Sequence, residues 1–76
     1  MEATAVPDLV PELRAIVADG RARCGEYRRV LRSLWPDRDD AAVMSEIVWV
    51  LGQLRQAEMA VAGAIAALAR AEGAER

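Results

Sequence analysis

The chain has 76 residues and a mass of 8.3 kDa, which allows one domain at most. Apolar residues make up 54% and charged residues 29%, a balance that excludes a disordered chain. The formal net charge of -2 argues against a general nucleic-acid binder. Because aromatic residues are only 4% of the chain, the core must be built from aliphatic side chains.

Several residue types that carry chemistry in enzymes are missing. There is no His and no Lys, so the chain lacks the usual general base, the Schiff-base amine and the P-loop cation. Cys24 is the only cysteine and has no companion at zinc-binding spacing. We therefore expect a non-enzymatic protein with no catalytic residue, no cofactor and no metal.

Composition also bears on the source and the compartment. All ten basic residues are Arg, and Ala is abundant, which indicates a high-GC bacterial genome. A lone cysteine fits a reducing compartment, and Met1–Asp8 lacks the basic and apolar regions of a signal peptide. Since the longest apolar run, Met59–Leu68, is too short to span a bilayer, we expect a cytoplasmic protein without a membrane partner.

The first predicted element after a frayed tail (residues 1–7) is a helix that begins at Asp8, whose carboxylate would cap the first amides. Gly20 and Gly25 each weaken a helix and leave open a break, but the phase continues across them. The pattern is a heptad seam with spacings of three and four: Val10, Leu13, Val17, Gly20, Cys24, Tyr27, Leu31 and Leu34. Ile16 and Val30 are expected to widen this stripe.

The helix is expected to end at Trp35, because the residue before a proline is pushed out of the helical region. A second helix then runs from about Asp40 to Glu72, with Gly73 as its stop and residues 74–76 as a tail. Its seam is Val43, Ile47, Val50, Leu54, Ala57, Val61, Ala64 and Leu68. A connection this short predicts an antiparallel helical hairpin, so residues 8–73 form one all-α domain.

A second apolar row lies beside the seam of the second helix and exceeds what one neighbouring helix can cover. Its large members are Met44, Val48, Leu51 and Ile65. Two hairpins packed through this row would make a homodimeric four-helix bundle, a coiled-coil-like assembly that resolves the exposure. We therefore predict these four residues as the oligomer interface; the alternative is a different partner chain that fills the same face.

Charged residues on the two helices suggest further contacts. Arg14, Arg21 and Arg28 recur at heptad spacing, with Arg32 one turn beyond, and could dock an anionic partner or pair with acids of the bundle. If the chain folds back at Pro36–Asp37, residues whose numbers sum to about 74 lie opposite each other on the two helices. Arg14 and Glu58 are nearly opposite by this rule, which predicts an ion pair between them. Trp49 falls on the polar side of the second helix, where an exposed Trp is either a docking residue or part of a higher oligomer.

These features favour a small protein–protein interaction module: an adaptor, an antitoxin-like inhibitor or an accessory subunit that is its own partner and binds a second protein. One alternative is a DNA-associated regulator that uses the segment from Arg21 to Arg32, although nucleic acid is a disfavoured partner. Another alternative is a small helical-bundle enzyme that clamps carboxylates with Arg.

Overall fold

The computed structural model describes residues 9–74, which form two α-helices joined by a short turn. Helix α1 spans Val10–Leu34, a 3₁₀ turn spans Trp35–Asp37, and helix α2 spans Ala41–Ala74. The two helices pack along their lengths as a hairpin, and residues 9–74 contain no strand. The predicted all-α hairpin is therefore confirmed; the chain as described is a single layer of two helices.

Both predicted seams face each other across the hairpin. Every one of their sixteen residues is buried or half-buried, whereas Ile16 and Val30, expected to widen the first seam, are exposed. The fully buried positions are all small or aliphatic: Val10, Val17, Cys24, Ile47, Val50, Leu54, Ala57 and Ala64. The heptad spacing thus identifies the inner stripe of each helix, and the stripe of α1 is narrower than predicted.

The two glycines of α1 do not break the helix. Gly20 and Gly25 both lie inside the continuous span Val10–Leu34. Gly20 has a packing reason to be glycine, because a Cβ there would overlap the Cγ2 atom of Val61 on α2. Gly25 has open space around it, since a Cβ added there would meet no atom within 4 Å. Gly20 therefore marks a close contact between the backbone of α1 and a side chain of α2, and Gly25 does not.

The turn keeps helical geometry further than the sequence predicts. Helix α1 ends at Leu34, yet Trp35 retains right-handed helical dihedral angles of φ -57° and ψ -39° although it precedes Pro36. Arg38 also has helical angles, and its amide donates to the Trp35 carbonyl oxygen. The chain therefore reverses only after Arg38, beyond the expected reversal at Pro36–Asp37.

Asp40 starts the second helix as an N-cap. Its Oδ1 atom accepts hydrogen bonds from the amides of Ala42 at 2.8 Å and Val43 at 3.2 Å, which satisfies two otherwise unpaired donors. At the other end, the prediction that Gly73 stops α2 is wrong, because the helix continues to Ala74. The expected cap by Asp8 lies outside the described residues.

Candidate interaction surface

The large members of the second apolar row are exposed on the flank of α2. Met44, Val48, Leu51 and Ile65 keep between 38% and 61% of their surface in contact with solvent. These side chains lie outside the contact between the helices, because α1 covers only the side of α2 that carries the buried seam residues. The single hairpin therefore leaves an unpartnered apolar row along much of its longer helix.

Two ion pairs join α1 to α2 among residues 9–74. Arg14 Nη2 lies 2.7 Å from Glu72 Oε2, and Arg28 Nη2 lies 2.9 Å from Glu58 Oε2. All four side chains remain partly exposed, so each pair contributes at most about 1 kcal/mol to stability. Because the two arginines and the two glutamates are each two heptads apart, one register of the hairpin satisfies both pairs.

The expected Arg14–Glu58 pair does not form, since both residues bond to other partners. The numbers of the paired residues sum to 86 in both ion pairs, instead of about 74. Delayed reversal of the chain beyond Arg38 shifts α2 relative to α1, and the long Arg and Glu side chains reach the rest of the way. The spacing of the charged residues predicts the correct flank of the hairpin for the ion pairs, but the wrong register of α2 along α1.

Arg21 occupies the middle of the arginine stripe and borders a shallow groove. A hollow of about 520 Å³ on one side of it includes Cys24 and Ala62, and a second of about 350 Å³ includes Val17 and Leu68. Arg21 and Ile65 line both hollows, so the two are adjacent and together make up this groove. The arginine stripe of α1 and the apolar row of α2 are far apart in the sequence, but they meet on this face of the hairpin.

Cys24 lies at the floor of this groove but is only 4% exposed. It packs with Leu54 and Ala57 in the core, and its thiol is free. The position matches its place in the predicted seam. Its surroundings are those of a small buried apolar residue and not of a reactive thiol.

The two tryptophans differ in their surroundings. Trp49 is 62% exposed on α2, as expected for a residue on the polar side of that helix. Trp35 is also largely exposed, and the guanidinium carbon of Arg38 lies 4.9 Å from its ring centroid. Arg32 is exposed near Trp35, where both line an apolar hollow of about 310 Å³ beside the turn. Arg32, Trp35 and Arg38 therefore form a small separate surface at the turn end of the hairpin.

Glu72 and Arg55 are two residues that the sequence did not single out. Glu72 pairs with Arg14, and the signal that identifies it is its distance of two heptads from Glu58. Arg55 lies exposed between Leu51 and Glu58, in the heptad phase of the apolar row. Three of the five charged residues of α2, namely Arg55, Glu58 and Glu72, therefore share the phase of the apolar row.

The described residues contain no grouping of acidic, Cys or His side chains that could hold a metal ion. In the same part of the chain, neither helix has the length and apolar character needed to cross a membrane. Comparison of the sequence and the structure with protein-family models, curated proteins and solved structures found no significant match.

Proposed function

We propose that the chain is a non-enzymatic protein–protein interaction module that acts as a homodimeric helical bundle. An adaptor, an antitoxin-like inhibitor or an accessory subunit would have this organisation. One observation supports the proposal above the others: the unpartnered apolar row of Met44, Val48, Leu51 and Ile65 on α2. Met44, Val48 and Leu51 are successive members of this row, and soluble monomers rarely expose large apolar patches outside interaction sites.

The small core of the single hairpin supports the same proposal. Ile47 is the only described side chain that is large and almost fully inaccessible, and several other core positions are Ala or Cys. Burying a large aliphatic side chain contributes about 1.5–3 kcal/mol, and a chain of this size has few such contributions. A second hairpin packed on the apolar row would bury further large side chains and so stabilise the fold without a disulfide or a metal.

The arrangement of the arginines favours this proposal over the DNA alternative. Arg14 and Arg28 are engaged by glutamates, and a phosphate would have to compete with those carboxylates. The enzyme alternative has less support, because the arginine stripe borders an open groove. Of the two reactive side chains that line this groove, Cys24 is buried and Glu58 is paired with Arg28. A role of the stripe in holding the hairpin together accounts for both ion pairs.

Substitution of the apolar row tests the proposal. Leu51→Glu places a charge in the row, and we expect the homodimer to dissociate and the helix content to fall, because folding and assembly are coupled. Val30→Glu on α1 is the matched control, since Val30 is 41% exposed and Leu51 is 43% exposed. Sedimentation equilibrium and far-UV circular dichroism measure both effects.

The control variant should remain a folded dimer. Equal behaviour of the two variants, both dimeric or both dissociated, would contradict the proposal, because the apolar row would then have no special part in assembly. A folded monomer before any substitution would contradict it as well.

A further inference from the structure

We infer that α2 of one chain pairs with α2 of a second copy in antiparallel orientation, with facing residues whose numbers sum to 113. This inference rests on the proposed homodimer and specifies its register. The occupant of the apolar row is thus a second copy of the same row. Charge complementarity and side-chain size both support this pairing.

The apolar row is part of a longer heptad series. Arg55 and Glu58 fill the two positions between Leu51 and Ala62, without breaking the alternation of four and three. Every member of the series from Met44 to Ala69 is exposed, although Arg28 of α1 reaches Glu58 at its edge. Its members are Met44, Val48, Leu51, Arg55, Glu58, Ala62, Ile65 and Ala69.

A two-fold axis makes the contacts of such a series reciprocal. If Val48 faces Ile65 of the second copy, then Ile65 faces Val48 of the second copy, and every facing pair has the same sum. With a sum of 113, each layer combines the two halves of the series. The layers are Met44 with Ala69, Val48 with Ile65, Leu51 with Ala62, and Arg55 with Glu58, each occurring twice.

In this register the sizes and the charges are complementary. Met44 and Leu51 each face an alanine, which lets the helices approach closely at both ends of the contact and again beside its centre. The two charged members face only each other, so two symmetry-related Arg55–Glu58 ion pairs lie at the centre of the interface. Between Met44 and Ala69 no charged residue is left against an apolar one; Glu72, the next residue in the same phase, would face Ala41 beyond the end of this contact.

Glu58 and Arg55 both have hydrogen-bonding groups available for this ion pair. Glu58 Oε2 accepts the bond from Arg28, while Oε1 forms no hydrogen bond among residues 9–74. Arg55 is exposed and has no ion pair within the described part of the chain. An ion pair to the second copy would therefore use a free oxygen and a free guanidinium.

Other registers lose this complementarity. A parallel pairing sets Arg55 against Arg55 and Glu58 against Glu58, and like charges at an interface are destabilising. An antiparallel pairing displaced by one heptad sets Arg55 against either Leu51 or Ile65 of the second copy, which buries a charge without a partner. Only the central register pairs every member with one of its own kind.

A charge-reversal experiment tests the central layer. Arg55→Glu alone and Glu58→Arg alone each create two like-charge contacts in a homodimer, so each should raise the dissociation constant at least about tenfold. Mixing the two variants creates a heterodimer in which both contacts are complementary again. We expect the mixture, followed by sedimentation and circular dichroism, to bind at least about tenfold more tightly than either variant alone, although Glu58→Arg still lacks the Arg28–Glu58 ion pair within its own hairpin.

A disulfide experiment tests the register independently. In a Cys24→Ala background, Val48→Cys and Ile65→Cys chains of different mass are mixed and oxidised, and the mixed dimer should be cross-linked. Val48→Cys alone should not cross-link efficiently, because the two copies of position 48 would lie about 25 Å apart along the paired helices. The two single-cysteine samples are the controls for each other.

The outcomes separate the register from the proposed function. A dimer that shows no recovery on mixing, or that cross-links through two copies of position 48, overturns this inference and leaves the homodimer standing. An unaltered chain that sediments as a folded monomer overturns both. Recovery on mixing together with the 48–65 cross-link establishes the antiparallel pairing.

Discussion

Gly20 on α1 lies directly against the side chain of Val61 on α2, with no room for a Cβ between them. We therefore expect Gly20→Ala to destabilise the hairpin by about 1–3 kcal/mol, the usual cost of overpacking, in spite of its higher helix propensity. Gly25→Ala is the matched control, because nothing lies within 4 Å of its added methyl group. Urea unfolding of both variants measures the difference.

The control should be stabilised by about 0.5–1 kcal/mol, since Ala is the better helix former. Two glycines only five positions apart in the same helix would then change stability in opposite directions. Stabilisation by both substitutions would show that the helices do not approach closely at Gly20.

The cap of α2 gives a second prediction. Asp40→Ala removes the carboxylate that accepts from two amides and should lower the free energy of unfolding by about 1 kcal/mol. Asp39→Ala is the control, because Asp39 is exposed and its side chain forms no hydrogen bond within the described residues. Denaturant unfolding compares the two, and an equal loss for both would assign the effect to net charge instead of capping.

A third prediction concerns the register of the hairpin. A double-mutant cycle on Arg14 and Glu72 should give a coupling free energy of about 0.2–1 kcal/mol, as expected for an exposed ion pair. The corresponding cycle on Arg14 and Glu58 should give a coupling near zero, because those residues bond to other partners. Stability measurements on the single and double Ala variants supply both values. The reverse ranking would restore the register expected from the sequence.

The arginine stripe leads to a fourth prediction. The chain should not bind duplex DNA with submicromolar affinity at about 150 mM salt, since non-specific binders typically reach only 10⁻⁴–10⁻⁶ M and this chain has a net charge of -2. Fluorescence anisotropy with a labelled duplex measures the affinity. Tighter binding that is lost in an Arg21→Ala/Arg28→Ala variant would favour the DNA alternative.

The heptad spacing was sufficient to predict the helices and their contact. The spacing of three and four from Val10 to Leu34 already places one stripe of α1 inside, and in the structure that stripe is covered. The short connection likewise implies antiparallel neighbours. These features depend on local periodicity and on loop length, which can be read from the residues directly.

The axial register of α2 against α1 could not be predicted in the same way. It depends on where the chain reverses, and Trp35 stays helical before Pro36 although such residues usually do not. The later reversal moved the partner of Arg14 from Glu58 to Glu72. For the same reason no pattern in the sequence indicated that Arg21 and Ile65 border one groove, because that proximity follows from the register.

Sedimentation equilibrium of the unaltered chain at micromolar concentration is the decisive measurement for the proposed assembly. A homodimer through the apolar row predicts a mass twice the 8.3 kDa of one chain, with dissociation and loss of helix content on dilution. A stable, helical species of 8.3 kDa would contradict the homodimer, because Met44, Val48, Leu51 and Ile65 would then remain in water without a second copy to cover them.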